Sequence, residues 1–117
     1  MNKLATSIEQ SRKLVALGID LQTADMYYLP QVMNEGETLW PIDEGYDLDD
    51  TDQPAWSLSA LLNVAMTLIG RQDLELRCNW NGKTWFAIEM AEQSAGCYDA
   101  ENPIDAVFDL VVEHLKD

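Results

Sequence analysis

Pro54-Ala55-Trp56-Ser57-Leu58-Ser59-Ala60-Leu61-Leu62-Asn63-Val64-Ala65-Met66-Thr67-Leu68-Ile69-Gly70 contains no charged side chain. Ser57 suits an N-cap and Gly70 a stop, so a helix is predicted over Leu58–Ile69. Leu58, Leu61, Leu62, Val64, Ala65, Met66, Leu68 and Ile69 cover most of its circumference. Ser59, Asn63 and Thr67, four apart, leave only a narrow polar stripe. A helix apolar on most sides belongs at the centre of a core.

Immediately downstream, Leu74, Leu76 and Cys78 alternate with Glu75, Arg77 and Asn79, and Thr84, Phe86, Ile88 and Met90 follow Asn81-Gly82. This reads as a hairpin over 73–90. A two-residue Asn81-Gly82 turn would set Arg77 opposite Phe86 and Leu76 opposite Ala87. A three-residue loop with Gly82 in the left-handed region sets Leu76 opposite Phe86 and Leu74 opposite Ile88. The second register separates apolar from polar faces and is preferred. It turns Trp85 outward beside Arg77, a cation–π pair.

Two flanking helices complete the frame. Thr6 and Glu9 make a capping box for a helix over about Ser7–Leu17, whose stripe is Leu4, Ile8, Ser11 and Val15 with Leu14 on its flank, and Gly18 stops it. Asn102 as N-cap with Pro103 at the first position starts the last helix. Ile104, Val107, Phe108, Val111 and Leu115 form its buried stripe, with Asp105, Asp109 and Glu113 opposite. A third short strand is expected over Ser94–Tyr98. The segment of about 19–53 is less regular: Thr23–Tyr28 suits a turn or a strand, and Glu37–Ile42 has strand character that Pro41 confines to a sheet edge. The expected fold class is α+β, a small antiparallel sheet packed against two or three helices, with residues 1–117 as one domain.

The chain has 117 residues, with 21 Asp+Glu against 7 Lys+Arg, a formal net charge of −14 and 47% hydrophobic residues. Such a surface repels phosphate, which argues against direct nucleic-acid binding. Between Lys13 and Arg71 there is no basic residue and there are ten acids. That interval cannot neutralise itself, so its acids are solvated, bind cations or face basic groups from elsewhere. The opening residues hold no apolar signal-peptide core. No run reaches the roughly 18 apolar residues a membrane span needs. A cytoplasmic protein is expected, with Cys78 and Cys97 as reduced, buried apolar residues.

Three pieces in this order, Thr23-Ala24-Asp25-Met26, Pro54 to Leu62 and Asn102-Pro103-Ile104-Asp105-Ala106, resemble small proteins of gut Bacteroides-type anaerobes and of their phages and integrated elements. The resemblance spans most of the chain and implies a cellular setting but no catalytic residue. A weaker, local likeness runs from Trp85 to Leu115, which is similar to the β–β–β–α core of HicB-type antitoxins; those proteins usually carry a DNA-binding segment after that core. The helix–hairpin–strand–helix order is also that of a double-stranded RNA-binding domain. The last helix here begins Pro103-Ile104-Asp105, where such a domain needs lysines.

Candidate chemistry is sparse. Asp47, Asp49, Asp50 and Asp52 offer hard-cation ligands at short spacing, but counting from Asp47 the EF-hand positions for Gly and Glu hold Asp52 and Leu58. These acids are therefore read as a solvated loop anchored by Tyr46 and Leu48. Cys78, Cys97 and His114 lack zinc-ligand spacing and give no thiol–base pair, so His114 reads as a helix-rim residue. No phosphate-binding glycine loop or nucleophile elbow is present. No catalytic, cofactor-binding or metal-binding residue is assigned. Trp56 and Phe108 suit the core. Trp80 and Trp85, on the hairpin loop and outer strand face, are expected to be covered by the 19–53 arm or by a partner or second subunit, because an open apolar patch is disfavoured and tryptophan is enriched at interface hot spots. The candidate partner-contact set is Trp80, Trp85, Arg77, Asp47, Asp49, Asp50 and Asp52. The function expected is an acidic protein-interaction module of a phage or mobile element, working without catalysis. It would meet a basic protein or a second copy of itself, as in a homodimer. The alternatives are a nucleic-acid mimic or an antitoxin-like inhibitor of a basic protein.

Overall fold

The computed structural model describes residues 4–30, 37–42, 48, 52–69, 73–78, 84–90 and 95–115. Helix α1 spans Ile8–Ala16 and is followed by a 3₁₀ turn at Leu21–Thr23. Strands β1 (Met26–Pro30), β2 (Glu37–Pro41) and β3 (Gln53–Ala55) form one antiparallel sheet in the order β2-β1-β3. Helix α2 (Leu58–Ile69) leads to β4 (Asp73–Cys78), β5 (Trp85–Met90) and β6 (Ala95–Ala100), a second antiparallel sheet ordered β4-β5-β6. Helix α3 (Pro103–Leu115) closes the described chain and packs on α2, β5 and β6. The α+β class and the three-stranded sheet built on the hairpin are as expected. The first sheet arises within the segment read as irregular, where β2 takes the edge position that Pro41 requires.

The core centres on Trp56, whose exposure is 0%. Leu61, Ala65, Ile104, Val107, Leu110 and Val111 surround it in the same buried cluster, joined by Leu14 from α1 and by Leu48. Leu48 is itself seated in the body, and its carbonyl accepts from Gln22 Nε2 at 2.9 Å. The indole N–H of Trp56 donates to Thr23 Oγ1 at 2.9 Å, satisfying the one polar atom of that buried ring.

Helix α1 begins one residue later than the Thr6 capping box implies. Ser7 is the N-cap, with Gln10 Oε1 accepting from the Ser7 N–H in return. Thr6 is drawn away from capping because its hydroxyl is buried and accepts from the Trp56 N–H at 3.0 Å. That hydroxyl lies 2.7 Å from Ser11 Oγ, and Ser11 Oγ donates its one hydrogen to the Ser7 carbonyl. Thr6 is therefore the donor to Ser11 and the three groups form a one-way relay. The α1 stripe is accordingly rotated: Ser11 and Leu14 are buried, whereas Leu4 (69%) and Val15 (39%) are exposed. Gly18, at φ +100°, ends α1. Its N–H reaches the Val15 carbonyl while the Ile19 N–H reaches that of Leu14, the paired bonds of a Schellman stop.

The register of β4 on β5 departs from the preferred expectation. Arg77 stands opposite Phe86, Leu76 opposite Ala87 and Cys78 opposite Trp85. This is the pairing that a two-residue Asn81-Gly82 turn would give, although 79–83 lie outside the described residues. The reason is the third strand. β6 sets Tyr98 opposite Ala87 and Ala100 opposite Trp85, so Leu76, Trp85, Tyr98 and Ala100 share one face. All four pack against the core cluster. A shift by one residue would turn Trp85 to the other face.

Candidate functional site

Trp85 is half-buried against the core, so it does not project outward as expected. Arg77 lies on the opposite face of β4 from the one that Trp85 shares, which removes the cation–π pair. Its Nε and Nη2 instead donate to Glu75 Oε2 at 3.0 and 2.8 Å, an exposed ion pair worth little to stability. Asp52 lines a shallow cavity of about 200 Å³ with Arg12, whose Nε donates to Gln53 Oε1 at 3.2 Å. Trp80, Asp47, Asp49 and Asp50 lie outside the described residues. Cys78 is exposed and free, not buried, and the Cys97 thiol lies outside the described side chains. The predicted contact residues that can be placed, Trp85, Arg77 and Asp52, therefore serve the core, a local ion pair and a cavity rim.

The structure assembles a different acidic surface. Asn102 caps α3 by accepting from the Asp105 N–H at 2.8 Å. Asp105 is fixed there: Asn102 Nδ2 donates to its Oδ2 at 2.8 Å and Gln10 Nε2, from α1, to its Oδ1 at 2.7 Å. A carboxylate in the first turn of a helix is favoured by the aligned peptide dipoles. From it, Asp109 and Glu113 continue one exposed face at four-residue intervals, each step rising about 6 Å along the axis. Asp99 on β6 and Glu101 in the link to α3 are exposed beside its start.

These groups feel one another. The Asp109 carboxyl is raised above the ordinary carboxylate value, first by partial burial, then by the charge of Asp105 and then by that of Asp99. Charges from a strand and a helix therefore act on the same Asp109 carboxyl. Like charges one turn apart on a helix are destabilising. A signal for this ridge was present in the residues: from Thr84 to Leu115 there is no Lys or Arg, yet there are seven acids, Glu89, Glu92, Asp99, Glu101, Asp105, Asp109 and Glu113. The basic-free interval between Lys13 and Arg71 is longer still.

Aromatic exposure also falls elsewhere than expected. Of the described tryptophans, Trp56 is buried, Trp85 half-buried and Trp40 48% exposed. Trp40 sits on edge strand β2 opposite Tyr27. Asp25 is spent on structure: it accepts from the Ser57 N–H at 2.9 Å and from Ser57 Oγ at 2.5 Å, holding the N-terminus of α2. Among the described residues, no three His, Cys, Asp or Glu side chains gather as metal ligands. No described helix is long and apolar enough to cross a membrane. Among known proteins, no family model, no curated protein and no solved structure matches this chain.

Proposed function

We propose that the chain is an acidic protein-interaction module that acts by contact rather than by chemistry, with a basic protein as its partner. The observation that carries this reading is the acidic face of α3, where Asp105, Asp109 and Glu113 recur every four residues and the charge of Asp99 adds to the field at Asp109. A self-repelling ridge costs the isolated fold some stability. A basic partner would offset that repulsion, and charge complementarity of this kind speeds and directs association. The outward Trp40 supplies a separate apolar anchor of the type enriched at hot spots. In this reading the protein works in the cytoplasm, in the phage or mobile-element setting that the resemblance implies.

A second reading, a nucleic-acid mimic or antitoxin-like inhibitor, is favoured by the regular four-residue step of the α3 acids, because evenly placed carboxylates can stand in for phosphates. The test is affinity capture from the native host at low and high salt, comparing the natural chain with a variant carrying Asp99→Asn, Asp109→Asn and Glu113→Gln. A basic protein retained by the natural chain, released by salt and lost by the variant is the expected result. Its displacement by a DNA or RNA oligonucleotide would select the mimic. Equal retention by both chains at both salt concentrations would overturn the acidic-contact reading.

A further inference from the structure

The turn between α1 and β1 stands over the polar stripe of α2 and leaves a cavity of about 250 Å³, open to solvent on one side. Its walls are apolar, from Ile19, Val64 and Leu68. Its polar side chains are Asp20, Thr23, Asn63 and Thr67, of which the Thr23 hydroxyl is already engaged, donating to the Asp20 carbonyl and accepting from the Trp56 indole N–H. Asn63 and Thr67 belong to the stripe that interrupts an otherwise apolar helix, and the core does not use them: both are exposed. Gly18 borders the opening, and a Cβ there would meet nothing within 4 Å, so the mouth is clear.

The polar groups are unusual in what they offer. Asp20 Oδ1 accepts from the Gln22 N–H at 2.9 Å, and among the described residues nothing bonds its Oδ2. Thr67 Oγ1 has committed its hydrogen to the Asn63 carbonyl at 2.9 Å, which leaves it an acceptor. The Asn63 carboxamide, with no side-chain partner among the described residues, can turn its oxygen to the cavity as a third acceptor. A carboxylate, a hydroxyl oxygen and an amide oxygen around an apolar pit match a group with three donors, no acceptor and a positive charge. No basic side chain lines the cavity, and the chain's charge of −14 repels anions.

Size and lining narrow the ligand. Sites for nucleotides and drug-sized molecules run to about 300–1,000 Å³, so this cavity suits a smaller body. Quaternary ammonium groups are recognised by aromatic cages, and none of the lining residues is aromatic. We propose that this cavity binds a free small-molecule primary amine, as the ammonium ion, with its hydrocarbon body against Ile19, Val64 and Leu68 and its head on Asp20, Asn63 and Thr67. This site is separate from the α3 ridge and does not rest on it.

The test is NMR titration of the labelled chain with hexylammonium, hexan-1-ol and hexanoate at matched ionic strength. Hexylammonium is expected to shift the amides of Ile19, Val64 and Leu68 with a Kd on the order of millimolar. Hexan-1-ol should bind about two- to five-fold more weakly, the value of one exposed charge contact, and hexanoate not at all. Asp20→Asn keeps the cap to Gln22, since Asn caps as well as Asp, and removes the charge. It should weaken hexylammonium by the same factor and leave hexan-1-ol unchanged, with a spectrum that otherwise matches the natural chain. Equal binding of amine and alcohol, an Asp20→Asn variant with undiminished amine affinity, or amine shifts confined to the acids of α3 would each overturn the proposal.

Discussion

Asp109→Asn tests whether the acidic ridge stores repulsion. Partial burial raises the Asp109 pKa first, and the charges of Asp105 one turn earlier on α3 and of Asp99 on β6 raise it further. Each like-charge contact is worth about 0.2–0.5 kcal/mol on a helix surface. Asp109 is largely solvent-exposed, so screening holds the total near the lower end, and removing the charge should stabilise the fold by about 0.5 kcal/mol at neutral pH and low salt. Asn and Asp have similar helix propensity, so propensity does not obscure the comparison. For a chain of this size the gain corresponds to roughly 2–3 °C in Tm.

The pH dependence has a definite sign. A carboxyl whose folded pKa lies above its unfolded value binds more protons in the native state between those two values. Stability therefore falls as pH rises through that window. The repulsion is complete above the folded value and absent below the ordinary value of about 3.9. The advantage of Asp109→Asn should be largest at neutral pH, shrink in acid and shrink again in concentrated salt. Urea unfolding at several pH values and two salt concentrations measures it. A variant that is neutral or destabilised at pH 7, or one whose gain persists undiminished below the carboxylate range, would refute the repulsion at Asp109.

Asp105→Ala should act in the opposite direction, destabilising by about 1–2 kcal/mol in urea unfolding, because Asp105 accepts from Gln10 and Asn102 and joins α1 to α3. Thr6→Val removes the acceptor of the buried Trp56 N–H at nearly constant volume and should cost about 2–3 kcal/mol. Combined with Ser11→Ala it should cost less than the sum of the single changes, because the two hydroxyls share one relay, and a double-mutant cycle reads the difference. Gly18→Ala meets no neighbour but must hold φ +100°, so a loss of about 1–2 kcal/mol in thermal unfolding is expected. Cys78 is exposed and should react with a thiol reagent in the native state at a rate that denaturant changes little.

The residues alone determined what depends on neighbours within about four positions. Asn102-Pro103 starts α3, Ser57 caps α2 and Gly18 stops α1, because each of these bonds closes within one helical turn. The uncharged run 54–70 likewise marked the central helix, since its composition leaves no face that prefers water. Tertiary structure decided the rest. Thr6 and Ser7 are both good caps, and only the demand of the Trp56 N–H, fifty positions away, removes Thr6 from that role. The hairpin alone offered two registers; β6 and the helices above the sheet chose the one that buries Trp85 beside Tyr98 and Leu76. The first sheet joins three short segments whose edges satisfy one another only after the chain has closed. The acidic ridge is of the same kind. Its α3 members follow from helical spacing, but Asp99 reaches the field of Asp109 only because β6 lies beneath α3.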